Sequence, residues 1–95
     1  MTSSATLPPK YIEELRVRRS TLEDLALKTL YLIGEISLHD LVRHMGVSLP
    51  IVEELFQRLL KDQLCQVTGM ERGVHRITTT SGGKTRALEL LAQNQ

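Results

Sequence analysis

The segment 81–85 (Ser-Gly-Gly-Lys-Thr) has the residue types that end a phosphate-binding P-loop, and it lies between a predicted strand and a predicted helix. A P-loop also requires a glycine five positions before Gly83, where this chain has Thr78. Without that glycine the loop cannot present successive backbone N–H groups to a phosphate. We therefore interpret the segment as a helix N-terminus and expect no nucleotide or other cofactor.

The histidines and the single cysteine lack the spacing of a metal site. His39 and His44 are five residues apart on one predicted helix, whereas helical metal ligands are spaced three or four apart. His75 is far along the chain, and Cys65 has no partner for a disulfide, which is typical of a reducing cytoplasm. We find no catalytic constellation, so the sequence predicts a cytoplasmic protein that is not an enzyme and holds no metal.

Composition limits the possible partners. The chain has 95 residues, a hydrophobic fraction of 41% and a charged fraction of 24%, values that suit one compact domain. Its net charge of +1 excludes a strong overall attraction to nucleic acid or to an anionic membrane, but it allows a local basic patch. No apolar run reaches the length of a membrane span, so we expect no membrane partner, and no small-molecule substrate is evident.

Capping residues divide the first half of the chain into helices. Residues 1–19 form a predicted arm, disordered or partly helical, and a first helix is predicted from Ser20, where Ser20 and Glu23 match a capping box. Gly34 ends that helix and a short extended link follows. Ser37 is predicted to cap a second helix that ends at Gly46.

A third helix and a hairpin follow. Ser48 is predicted to cap the third helix, which has Pro50 in its first turn and ends near Asp62. From Leu64 the pattern alternates as in a strand, with a hairpin loop at residues 69–73 and a return strand at residues 74–79. A last helix is predicted from about Ser81 to Ala92, capped by Thr80, with residues 93–95 as a tail. The side chains predicted to face inward on the first and last helices are Leu22, Leu25, Ala26, Thr29, Leu30, Ile33, Ala87, Leu88, Leu90 and Leu91.

The order of these elements is helix, short strand, helix, turn, helix, hairpin and helix. This order resembles the winged helix-turn-helix superfamily, a mainly helical α+β fold with a three-helix core, a wing and a C-terminal helix. The predicted domain covers residues 20–92. A plain helical bundle does not explain the alternation after Leu64, and a ferredoxin-like fold needs more strands.

Short segments indicate a narrower resemblance. Residues 21–26 (Thr-Leu-Glu-Asp-Leu-Ala), 28–32 (Lys-Thr-Leu-Tyr-Leu), 34–35 (Gly-Glu), 49–53 (Leu-Pro-Ile-Val-Glu) and 84–87 (Lys-Thr-Arg-Ala) are similar to the small winged domain that precedes an AAA+ ATPase domain in certain bacterial proteins. The resemblance implies a non-catalytic accessory module at the N-terminus of a larger protein, in which ATP is bound by a following domain.

Two kinds of partner remain. Glu53 and Glu54 lie near the end of the third helix that would approach DNA, and with the apolar residues before them they favour a protein partner or the following ATPase domain. The alternative is a DNA-binding regulator domain that uses helix 48–62 and the wing 69–73. The candidate recognition surface is Ser48, Pro50, Ile51, Glu54, Gln57, Arg58 and Lys61, and the candidate phosphate contacts of the wing and its surroundings are Arg43, Arg72, Arg76 and Lys84.

Overall fold

The computed structural model describes the backbone of residues 9–93 and the side chains of residues 16–93. Its elements follow the predicted order. They are α1 (Pro9–Ile33), β1 (Glu35–Ser37), α2 (Leu38–Met45), α3 (Leu49–Lys61), β2 (Cys65–Glu71), β3 (Val74–Thr79) and α4 (Ser81–Gln93). None of the described helices is both long enough and apolar enough to cross a membrane.

Helix α1 begins at Pro9, so the predicted helix start at Ser20 is wrong. No glycine or proline separates Pro9 from Gly34, and proline is well tolerated in the first turn of a helix. Thr21 instead donates its hydroxyl to the carbonyl of Val17, 2.9 Å away, as it does inside a continuous helix. The division into an arm (1–19), a domain (20–92) and a tail (93–95) stays a prediction, and residues 1–8 and 94–95 lie outside the described residues.

The caps around β1 and α2 are confirmed. Gly34 has φ +101°, and its N–H donates to the carbonyl of Leu30 at 2.8 Å. The Ser37 hydroxyl accepts the N–H of Asp40 at 3.1 Å, and Gly46 ends α2 in the left-handed conformation. These local interactions satisfy backbone groups that a helix end leaves unpaired.

Ser48 is the N-cap of α3, as predicted, and has the extended backbone of that position. Its hydroxyl makes no capping hydrogen bond. Pro50 lies in the first turn as predicted and has no N–H to donate. At the other end Gln63 has φ +59°, and the N–H of Leu64 returns to the carbonyl of Leu59 at 2.8 Å. This is a Schellman motif with glutamine where glycine is usual.

The three strands form one antiparallel sheet in the order β1-β3-β2. The predicted loop at residues 69–73 is too long, because β2 continues to Glu71 and only Arg72 and Gly73 form the turn. Both have positive φ values, 53° and 78°, as in a type I′ turn, whose twist matches that of the flanking strands. A bulge at Thr68 shifts the register between Val67 and Gly69.

The core is aliphatic except for Phe56 and Cys65, and it lies between the helices and one face of the sheet. Leu25 and Leu88 were predicted to face inward, but they are 42% and 52% exposed. Ile33 is also exposed, because Ala26, Leu27 and Leu30 fill the inner face of α1. The buried apolar residues are Ala26, Leu27, Leu30, Ile36, Leu38, Leu41, Val52, Leu55, Phe56, Leu59, Cys65, Ile77, Ala87 and Leu90.

The glycines at the start of α4 serve packing. Thr80 caps the helix, since its hydroxyl accepts the N–H of Gly83 at 3.0 Å and donates to the carbonyl of Gln63 at 2.7 Å. A Cβ atom on Gly83 would lie 1.9 Å from the carbonyl oxygen of Leu64. The interpretation of segment 81–85 as a helix N-terminus is confirmed, and Gly83 lets that helix approach the backbone between α3 and β2.

Candidate nucleic-acid interface

Helix α3 buries one face and exposes the other. Val52, Leu55, Phe56 and Leu59 are buried in the core, at the spacing of one helical stripe. The opposite face is open to solvent along the whole helix. All residues of the candidate recognition surface are exposed, namely Ser48, Pro50, Ile51, Glu54, Gln57, Arg58 and Lys61.

The β2–β3 hairpin is held beside this exposed face. The ring of His75 on β3 packs against Phe56 of α3, with 5.6 Å between ring centroids and a tilt of 37°. A groove of about 500 Å³ runs between the helix and the hairpin, with Pro50, Glu53 and Gln57 along its helix side. The aromatic contact therefore joins the wing to α3 two residues from the hairpin turn.

Three of the predicted basic residues are free to meet a ligand. Arg72 lies in the hairpin turn, Lys61 in the last turn of α3 and Lys84 in the first turn of α4, and all three are exposed. None of them makes an ion pair with the side chains of residues 16–93. Gln57 adds an uncharged side chain that both donates and accepts hydrogen bonds.

Arg76 is already engaged within the sheet. It contacts Glu35 of β1 at 3.0 Å and Glu71 of β2 at 2.7 Å, so one guanidinium joins all three strands. The hydrogen bond from Arg76, with a second from Thr68, lowers the pKa of Glu35 below its usual value. Arg43 likewise pairs with Asp40 inside α2, and the pKa of that carboxyl is lowered mainly by this contact.

Two further ion pairs connect α3 to α1. Arg19 contacts Glu54, and Glu23 contacts Arg58. Glu54 and Arg58 belong to the candidate recognition surface, but both of their partners were missed, since each is 35 residues away in the chain. A signal was present, because both helices carry opposite charges four residues apart in reversed order.

Metal chemistry has no support in the described part of the chain. No group of three His, Cys, Asp or Glu side chains among these residues is arranged to hold a metal ion. Cys65 is buried on β2.

No family model matches the chain, and no curated protein matches it. Solved structures do match. The transcriptional regulator SlyA gives a TM-score of 0.71 at 17% identity, over 77% of this chain and 53% of SlyA. FabT from Streptococcus pneumoniae, in complex with DNA, gives 0.70 at 12% identity, over 76% and 52%. A mutant of MarR from E. coli, complexed with operator DNA, gives 0.69 at 13% identity, over 87% and 70%.

This chain has the winged-helix fold. The predicted α+β class, with the β2–β3 hairpin as its wing, is thereby confirmed. The chain spans about half the length of SlyA and of FabT.

The prediction of an accessory domain in an AAA+ ATPase-type protein is wrong. The solved structures that overturn it are a transcriptional regulator and two complexes with DNA. The segments behind the ATPase resemblance are only two to six residues long. Their buried members, Ala26, Leu30, Val52 and Ala87, serve the core of the winged-helix fold and do not distinguish its families.

Proposed function

We propose that this chain is the DNA-binding domain of a transcriptional regulator, with α3 in the major groove and the wing against the phosphate backbone. The observation that carries the proposal is the exposed face of α3 beside a wing that the Phe56–His75 contact holds in place. A helix-turn-helix domain inserts its second helix in this way, and neighbouring elements contact the backbone.

The exposed side chains divide into two roles. Gln57, near the middle of α3, has the amide that reads adenine through two hydrogen bonds. Lys61, Arg72 and Lys84 supply positive charge without an internal partner among the described residues, which suits contacts with phosphates. In this arrangement the domain acts by binding and not by catalysis, in the cytoplasm.

The main objection from the sequence was the acidic pair at the entering end of α3. The ion pair with Arg19 neutralises Glu54, which leaves Glu53 as the uncompensated carboxylate there. A single glutamate is compatible with groove binding because it accepts a hydrogen bond from cytosine. The charge balance of α3 is therefore less unfavourable for DNA binding than its sequence alone indicates.

The proposal is tested by titrating the wild-type chain with random and genomic duplexes at two salt concentrations. We expect affinity to fall steeply with salt. Lys61→Ala and Arg72→Ala should each weaken binding by about tenfold, as expected for loss of a phosphate contact worth about 1.4 kcal/mol.

Arg86→Ala is the matched control, because Arg86 is an exposed arginine on α4 that pairs with Glu89, outside the proposed interface. This variant should bind as the wild type does. No binding at high micromolar concentration in low salt, or an equal loss in the Arg86 variant, would overturn the proposal.

A further inference from the structure

Helices α1 and α3 are joined by two ion pairs that run in parallel, here called the ladder. Arg19 and Glu23 are four residues apart on α1, and so are Glu54 and Arg58 on α3, which places each pair on one face of its helix. Arg19 contacts Glu54, and Glu23 contacts Arg58. Each helix thus contributes one positive and one negative side chain.

The two ion pairs border a partly apolar cleft between α1 and α3. This cleft of about 250 Å³ is lined by apolar Leu22, Ile51 and Leu55. Leu55 is buried in the core, and Leu22 packs against it from α1. The ladder therefore lies where the two helices approach each other, at one edge of the exposed face of α3.

The Glu23–Arg58 contact is the more sheltered of the two. The side chain of Glu23 is only 18% exposed, whereas that of Arg58 is 52% exposed. If Arg58 turned toward a phosphate, Glu23 would lose its partner at a site with little access to water. Leaving a partly buried carboxylate unpaired is costly, so Glu23 competes with phosphate for Arg58.

We propose that Arg19 and Glu23 of α1 determine the charge that α3 presents to DNA. Glu23 withholds Arg58 from the phosphates, and Arg19 neutralises Glu54, so these two residues of α1 set the charge of α3 without being part of the proposed DNA contacts. This inference rests on the proposed function, and it assigns to α1 a role in both affinity and salt dependence.

A double-mutant cycle on the full chain tests the inference. The variants are Glu23→Gln, Arg58→Gln and the double variant, each titrated with a random duplex over a range of salt. We expect Glu23→Gln to tighten binding about threefold or more and to steepen the slope of log K against log[salt] by about one unit, because one further phosphate is neutralised. Arg58→Gln alone should change affinity by less than about twofold, and it should abolish the gain in the Glu23→Gln background.

The Arg86–Glu89 pair on α4 supplies controls with the same changes in net charge. Glu89→Gln should leave the affinity for DNA close to that of the wild type. A general effect of net charge would instead raise its affinity as much as Glu23→Gln does. In a second arm, Arg19→Gln should weaken binding by more than Arg86→Gln, because it exposes Glu54 to the phosphates. If circular dichroism shows that the Glu23→Gln variant does not fold, the comparison of Arg19→Gln with Arg86→Gln still tests the inference.

The outcomes separate the two proposals. If the wild type binds DNA through Lys61 and Arg72 but the Glu23 and Arg58 effects add independently, the inference is overturned and the proposed function stands. The same holds if the α4 controls match the α1 variants. If the wild type binds no duplex, both proposals fail.

Discussion

At the residue scale, burial controls the chemistry of Cys65. This side chain is 3% exposed on β2, and loss of hydration raises the pKa of its thiol from 9.0 to about 11. The thiolate is the reactive form, so the native protein should react slowly with iodoacetamide at pH 7.5 and rapidly once unfolded in urea. Rapid labelling of the native protein would contradict the packing of β2.

The same shift predicts a pH dependence of stability. Because the pKa of the Cys65 thiol is higher in the folded than in the unfolded protein, its contribution to stability is fully present below the unfolded-state pKa. This contribution is lost as the pH rises through the folded-state pKa. The free energy of unfolding should therefore decline between pH 9 and about 11. Urea denaturation across this range measures the decline, and Cys65→Ala, which lacks the thiol, serves as the control in which the cysteine-dependent part disappears.

Single side chains show which features could be predicted from the sequence and which could not. Exposure of Gln57, Lys61 and Arg72 could be predicted, because it depends on helical period and turn position. The partners of Arg58 and Glu54 could not, because they depend on the distance and angle between α1 and α3. A pair 35 residues apart has no local signature beyond complementary charges.

At the element scale, signals that act within a few residues were reliable. Gly34, Ser37, Gly46 and Thr80 end or cap helices as predicted, because each satisfies nearby backbone groups. The capping box at Ser20 was misleading, since the same residues fit the interior of a longer helix when no breaker precedes them. The hairpin turn was placed correctly but made too long, because Gly69 belongs to a bulged strand.

Gly83 allows a test of how α4 is attached. A Cβ atom there would overlap the carbonyl oxygen of Leu64, which is backbone and cannot move aside easily. We expect Gly83→Ala to lower the free energy of unfolding by about 3 kcal/mol, at the upper end of the usual cost of overpacking. The measurement is urea denaturation followed by circular dichroism.

Gly82→Ala is the matched control, because a Cβ atom at Gly82 lies 3.8 Å from its nearest neighbours, an ordinary contact. This variant should stay within about 0.5 kcal/mol of the wild type, as surface substitutions usually do. Equal effects at the two positions would show that α4 does not approach the carbonyl group of Leu64 closely at Gly83.

At the scale of the whole molecule, the order of elements was enough to predict the fold, but the fold did not determine the partner. One arrangement of helices and a hairpin supports several kinds of binding, so function depends on which side chains the exposed face carries. In the sequence, Glu53 and Glu54 count against DNA binding. In the folded chain Arg19, which lies on another helix, neutralises Glu54.

The small number of proposed phosphate contacts predicts a moderate salt dependence of DNA binding. Lys61, Arg72 and Lys84 are the proposed phosphate contacts, and each neutralised phosphate contributes about −0.9 to the slope of log K against log[salt]. We therefore expect a slope of about −3 per chain, measured by fluorescence anisotropy over a range of sodium chloride concentrations. A slope steeper than about −6 would mean that the internally paired arginines also reach DNA.

The bulge at Thr68 has a consequence for self-association. β2 is one of the two edge strands of the sheet, and such a strand presents unpaired N–H and C=O groups to any other extended chain. Val67 and Met70, which flank the bulge, are exposed and apolar and would favour such an encounter. The extra residue interrupts the regular β-sheet pairing midway along β2, so an incoming strand cannot pair along its full length. A projecting hairpin is thereby protected from edge-to-edge aggregation while its turn stays accessible.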